Sequence, residues 1–129
     1  MQTLKKHERL RREKVIDLLF SEGKYFWQSP FKVIWKDQVL EVSTPAQILV
    51  VVPKKKLKKA VDRNLIKRRI REAYRLHKTE FYEFLNQRNY QCSLAIIYSA
   101  NEIHAYSEIE EKIILILQRL QRDYEKGIG

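Results

Sequence analysis

Residues 54–75 read KKKLKKAVDRNLIKRRIREAYR. Half of these 22 residues are Lys or Arg, and only Asp62 and Glu72 oppose them. An apolar rhythm runs through the charge. At about 100° per residue, Ile66, Ile70, Ala73, Tyr74 and His77 share one arc, and Phe81 and Leu85 continue it. The spacing predicts a long helix from about Val61 to Asn86 whose apolar arc packs in the core. Asn64, Lys67, Arg68, Arg71 and Arg75 fall on the adjacent arc, so the charge forms a stripe.

That stripe works against the stability of the free chain. Arg63, Lys67 and Arg71 repeat one sign at i,i+4 spacing, where a solvated helix usually alternates signs. Lys54, Lys55, Lys56, Lys58 and Lys59 lie before the positive end of the helix dipole, where cations are disfavoured, and Asp62 offsets this only in part. A polyanion would relieve the repulsion, so nucleic acid is the expected partner, with a solvated helix face as the plain alternative. A membrane surface fits poorly, because the opposite helix face is needed for the core. KKKLKK also matches nuclear-import patterns, which are common by chance.

The rest of the chain bounds these readings. Lys and Arg number 26 against 16 Asp and Glu, for a net charge of +10, and Lys54–Lys78 carries the whole excess. A smaller basic cluster spans Lys5 to Lys14. With 44% hydrophobic and 11% aromatic residues the chain is no disordered polycation. Its 129 residues fit one domain, 1–129, able to hide roughly two-thirds of its unfolded surface. No stretch approaches a membrane span, and MQTLKKHERLRR lacks the apolar region of a secretory signal. Cys92 is the only cysteine, which excludes an internal disulfide and suits a reducing cytoplasm.

Around the basic helix the pattern predicts small elements. Glu13–Ser21 reads as a helix bearing Val15, Ile16, Leu19 and Phe20, stopped by Gly23. Phe31–Val42 reads as two strands about a turn at Lys36-Asp37-Gln38. Ser43-Thr44-Pro45 is a second turn, and Ile48–Val52 a central strand ended by Pro53. Leu94–Tyr98 is a further strand. A last helix opens at Ser107 with a capping box to Glu110 and shows Ile109, Ile113, Ile116, Leu117, Leu120 and Tyr124 on one face. The expected fold is α+β: a small, mainly antiparallel four-stranded sheet packed with three helices in the order α-β-β-β-α-β-α.

Charge does not separate RNA from DNA. A basic helix can lie in a DNA groove. Tyr25, Phe26, Trp27 and Trp35 could instead stack on unpaired bases, although Trp35 reads as core. Catalytic chemistry is not visible. His7, His77 and His104 lack ligand spacing for zinc, His77 reads as packed or half-buried, and no nucleophile or phosphate-loop motif appears. No catalytic or metal-ligating residue is expected on the chain.

The stretch Ala60-Val61-Asp62-Arg63-Asn64-Leu65-Ile66-Lys67-Arg68-Arg69-Ile70-Arg71-Glu72-Ala73 resembles the A-V-x-R-N-x-x-K-R-x-x-R-E-A pattern of the protein component of bacterial ribonuclease P. Leu4-Lys5-Lys6, Arg9-Leu10, Phe20 and Gly23 agree with that family's opening, so the resemblance covers most of the chain. It implies an accessory subunit, one per RNA, in a cytoplasmic ribonucleoprotein. Its catalytic RNA subunit would remove the 5′ leader of precursor tRNA by Mg2+-assisted hydrolysis, with the metal held mainly by RNA. The implied RNA-binding residues are Arg63, Asn64, Lys67, Arg68 and Arg71, joined by Lys55, Lys56, Lys59 and Arg75. The single-stranded leader would meet Ile16, Phe20, Arg9 and Arg12. Two positions depart from the family pattern: Lys58 stands where a glycine is usual, and Ile16 where a second aromatic is common. A DNA-binding module and a structural ribosomal or assembly protein remain the rival readings.

Overall fold

The computed structural model describes residues 4–127. A short 3-10 turn at Lys6–Glu8 precedes α1 (Glu13–Glu22), β1 (Lys24–Gln28), β2 (Phe31–Asp37), β3 (Ala46–Val51), α2 (Ala60–His77), α3 (Thr79–Gln87), β4 (Cys92–Tyr98) and α4 (Tyr106–Gly127). The four strands form one mixed sheet in the order β1-β2-β4-β3. β1 and β2 pair antiparallel, as do β2 and β4, while β3 runs parallel to β4. A parallel pair needs a long crossover, and here α2 and α3 supply it. The α+β class and the order of elements agree with the sequence.

Alternation along the strands divides the interior in two. On one face Phe31, Val33 and Trp35 of β2, Ile48 and Val50 of β3, and Leu94, Ile96 and Tyr98 of β4 pack against α2, α3 and α4. Ile66, Ile70, Ala73 and Tyr74 are the buried flank of α2, and Phe81 and Leu85 continue it in α3, as the periodicity predicts. On the other face Ile34 and Ala95 meet Val15 and Leu19 of α1, with Leu10 and Leu40 at the margin. α1 is the only helix on this second face among the described residues, and the face is therefore only partly roofed.

Three sequence expectations change. The hairpin lies earlier than read: β1 pairs with β2 around Ser29-Pro30, and residues 38–45 form a loop. β1 is an edge strand with one buried residue, Phe26, so it lacks an alternating apolar signal. The loop is organised from a distance by Gln91. Its side-chain amide donates to the carbonyls of Val42 and Thr44, and its side-chain oxygen accepts from the Leu40 N–H at 2.9 Å. The long helix is divided at Lys78 into α2 and α3, although the Tyr82 N–H still donates to the Lys78 carbonyl at 2.9 Å. The expected capping box at Ser107 is replaced by a single back-reaching bond two residues earlier. The Glu108 carboxylate, not that of Glu110, accepts the N–H of the residue before the helix, Ala105. Glu110 is drawn instead to His77 Nε2 at 2.9 Å, which leaves His77 half-buried.

Gly23 joins α1 to β1 through close approach and not through a left-handed turn; its φ is −69°. A Cβ there would stand 2.3 Å from the Leu19 carbonyl oxygen and 2.8 Å from Ile34 Cγ2. Gly23→Ala is expected to lift α1 from the sheet and cost about 1–3 kcal/mol. A melting temperature equal to that of the unaltered protein would show that the junction relaxes freely.

Candidate nucleic-acid interface

The lysine loop before α2 is built by two anchors. Leu57 is buried in the main core, and the guanidinium of Arg63 donates to the carbonyls of Leu57 at 2.9 Å and Lys58 at 2.8 Å. Arg63 thus satisfies loop carbonyls and holds Lys55, Lys56, Lys58 and Lys59 against the start of the helix. Lys58 does not need the conformational freedom of glycine, since the only non-glycine residue with positive φ among the described residues is Asn89. Its place in the family pattern therefore imposes no strain here.

Beyond the loop, Asn64 and Arg68 are exposed, and Lys67 and Arg71 are half-buried. None of Lys67, Arg68 and Arg71 has a carboxylate at ion-pair distance among the described residues. Arg75 differs: it is paired with Glu72 one turn back, and that carboxyl is held below its usual range chiefly by the Arg75 hydrogen bond. Arg69 also leaves the stripe, donating to the His104 carbonyl at 2.6 Å and tying α2 to the segment before α4. The open cationic run is therefore Lys67, Arg68 and Arg71, continued by the lysine loop.

Arg9 belongs with it. The residues after the 3-10 turn run beside β3, where Arg9 bridges Ile48 in parallel and the Leu10 N–H donates to the Ile48 carbonyl at 2.9 Å. Arg9 Nε is buried without a hydrogen-bond partner. The Arg71 pKa is pushed down, first by burial and second by the charge of Arg9. The charge of Arg9 thus acts on Arg71, and neither guanidinium has a carboxylate at ion-pair distance among the described residues. Such an arrangement stores repulsion that a phosphate would relieve.

Arg9 is positioned by a buried ion pair that no local pattern announces. Lys78 Nζ lies 2.5 Å from Glu8 Oε1, with both side chains nearly excluded from solvent. The other Glu8 oxygen accepts the Lys5 N–H at 2.8 Å. Burial alone would raise the Glu8 pKa; Lys78, the Lys5 N–H and the Tyr82 hydroxyl outweigh it and hold the carboxyl below its ordinary value. The 3-10 turn is thereby fastened to the α2–α3 junction.

The leader-binding expectations fall on the second face. Ile16 is half-buried and packs on the same small core as Leu49 and Ile97. One turn later on the same flank of α1, Phe20 is 46% exposed. Arg12 is paired with Glu41 and so does not stand as a free cation. Below α1, an in-register row crosses all four strands: Trp27 opposite Lys32, Lys32 opposite Ile97, Ile97 opposite Val51. Sequence reasoning placed none of Lys32, Ile97 and Val51 at the site. The available signal was alternation, since Lys32 lies between the buried residues Phe31 and Val33.

Burial pushes the Cys92 thiol up to about 12, away from thiolate reactivity. Among the described residues no three His, Cys, Asp or Glu side chains converge as a metal site. No described helix is long and apolar enough to cross a membrane.

A half-roofed sheet beside a helix with an unneutralised basic stripe defines a small α+β protein built to bind a polyanion. The ribonuclease P family model matches residues 4–121. The ribonuclease P protein component of Porphyromonas gingivalis is 32% identical over 117 residues, covering 91% of this chain and 85% of that protein. That of Petrotoga mobilis is 30% identical over 125 residues, covering 93% and 97%. The RNase P protein of Staphylococcus aureus shares the fold with a TM-score of 0.69 at 21% identity, over 88% of this chain and 94% of that one. That of Thermotoga maritima does so with a TM-score of 0.64 at 24% identity, over 87% and 96%. The chain belongs to the ribonuclease P protein family, whose members are components of a tRNA-processing ribonucleoprotein.

Proposed function

We propose that this protein docks on the catalytic RNA of ribonuclease P through Lys67, Arg68, Arg71, Asn64 and the lysine loop, and guides the unpaired 5′ leader of precursor tRNA past α1. The observation that carries this reading is the unneutralised run Lys67-Arg68-Arg71 on a helix whose other flank is locked in the core. Arg9, bridged to Ile48 of β3 and acting by its charge on Arg71, adds a fourth cation. Arg63 acts mainly by shaping the lysine loop, and Arg75 contributes least because Glu72 occupies it. Ile16 offers apolar contact to the leader, and Phe20 a ring for a base. Among the described residues no three His, Cys, Asp or Glu side chains converge as a metal site; the reading assigns the magnesium that assists hydrolysis, and the catalytic centre, to the RNA. One copy per RNA, in the cytoplasm, completes the reading.

The test combines the protein with a catalytic RNA and a 5′-labelled precursor tRNA at limiting magnesium. A single cut at the mature 5′ end is expected with both components, and none with protein alone. Preference for duplex DNA, or RNA binding without rescued cleavage, would replace the reading with a DNA-binding module or a structural RNA-binding protein, respectively.

A further inference from the structure

Two large rings stand exposed at the free edge of the sheet: Tyr25 is 64% and Trp27 55% exposed. Both project from the same face of β1, two residues apart. Lys32, directly across from Trp27, places its ammonium 4.9 Å from the Tyr25 ring centre and 5.7 Å from that of Trp27. The rings are thus set around a fixed cation, and burial does not explain them. From Trp27 the row through Lys32 and Ile97 to Val51 spans three strand spacings, about 14 Å. A stacked strand advances about 3.4 Å per nucleotide, so this length accommodates about four.

We infer that Tyr25 and Trp27, with Lys32 between them, form a stacking site for unpaired bases of a single RNA strand that enters along the sheet row beneath α1. Every base presents a π face, so rings give sequence-tolerant binding, and the cation answers the phosphate that links neighbouring bases. A second copy of the chain is the other conceivable occupant of an exposed edge strand. It fits worse, because a two-fold contact sets like patches together and would oppose Lys32 to its own copy. The site rests on the reading that the second face receives single-stranded RNA, and it extends that strand beyond Ile16 and Phe20.

The chain has two tryptophans, and Trp35 is only 2% exposed, so Trp27 is the natural reporter. The full-length protein is titrated with a short single-stranded oligoribonucleotide and with the same strand in a duplex. Saturable quenching by the single strand alone is expected. Trp27→Ala and Tyr25→Ala should each weaken binding roughly 5- to 100-fold, and Trp27→Phe should restore affinity without the quench. Unchanged affinity in both alanine variants would overturn the proposal, as would Trp27 emission that shifts with protein concentration alongside dimer formation. In parallel, the unaltered protein and Trp27→Ala are assayed for cleavage with catalytic RNA. Supported cleavage with no loss of oligonucleotide affinity in either alanine variant removes this site only. Failed cleavage with Trp27-dependent binding removes the ribonuclease reading and keeps the single-strand site.

Discussion

Replacing Lys67, Arg68 and Arg71 together by alanine is expected to weaken binding to the catalytic RNA by about tenfold or more per side chain at moderate salt. The same variant should flatten the dependence of log K on log salt by about 2–3, because each lost phosphate contact removes about 0.7–0.9 from the slope. Its melting temperature should hold or rise slightly, since none of the three residues has a carboxylate partner among the described residues to lose. Arg75→Ala is the internal control. That guanidinium is already engaged by Glu72, so its removal should change the slope less. Arg69→Ala should do the opposite, lowering stability through loss of the bond to the His104 carbonyl. A triple variant with an unaltered salt slope would mean that the stripe does not touch phosphate.

Breaking the Glu8–Lys78 pair from one side should be the most damaging single change to stability, about 3–5 kcal/mol for Glu8→Gln or Lys78→Met, because it strands a buried charge. Glu8→Leu with Lys78→Met should recover much of that loss, since no charge is then left behind. RNA affinity should still suffer in the double variant, because the turn that places Arg9 beside β3 is no longer fastened. The pH dependence has a defined sign. The folded-state pKa of Glu8 lies below the ordinary carboxylate value of 4.5. Its contribution is complete above that value and disappears as the pH falls through the lower, folded one. Denaturant melts at descending pH should show this loss in the unaltered protein and not in the double variant. Equal acid sensitivity of the two would assign it to other carboxyls.

Much of the functional surface could be read in advance because its logic is local. Ile66, Ile70, Ala73 and Tyr74 repeat at helical spacing, and all four are buried. Lys67, Arg68 and Arg71 follow one step around the same helix; spacing keeps them out of the core, and the structure leaves Arg68 exposed and Lys67 and Arg71 half-buried. β1 resisted reading for the converse reason. An edge strand that buries Phe26 alone is stabilised by its pairing with β2, and pairing leaves no trace in the order of residues. Residues 39–42 read as a strand between two turns, but in the structure they belong to a loop whose polar groups are occupied by Gln91, some 50 positions away.

The chemical character of the basic helix, the flank it buries and the kind of partner it needs follow from contacts within a few turns, where spacing and side-chain type are sufficient. Which cations remain available follows from long-range geometry. Glu72 neutralises Arg75, loop carbonyls occupy Arg63, and a buried Glu8–Lys78 pair seventy residues apart fastens the turn before Arg9, whose charge acts on Arg71. Charge composition is a sum over residues. Its effective distribution is a matter of distance and desolvation, and those quantities exist only once the chain has closed on itself.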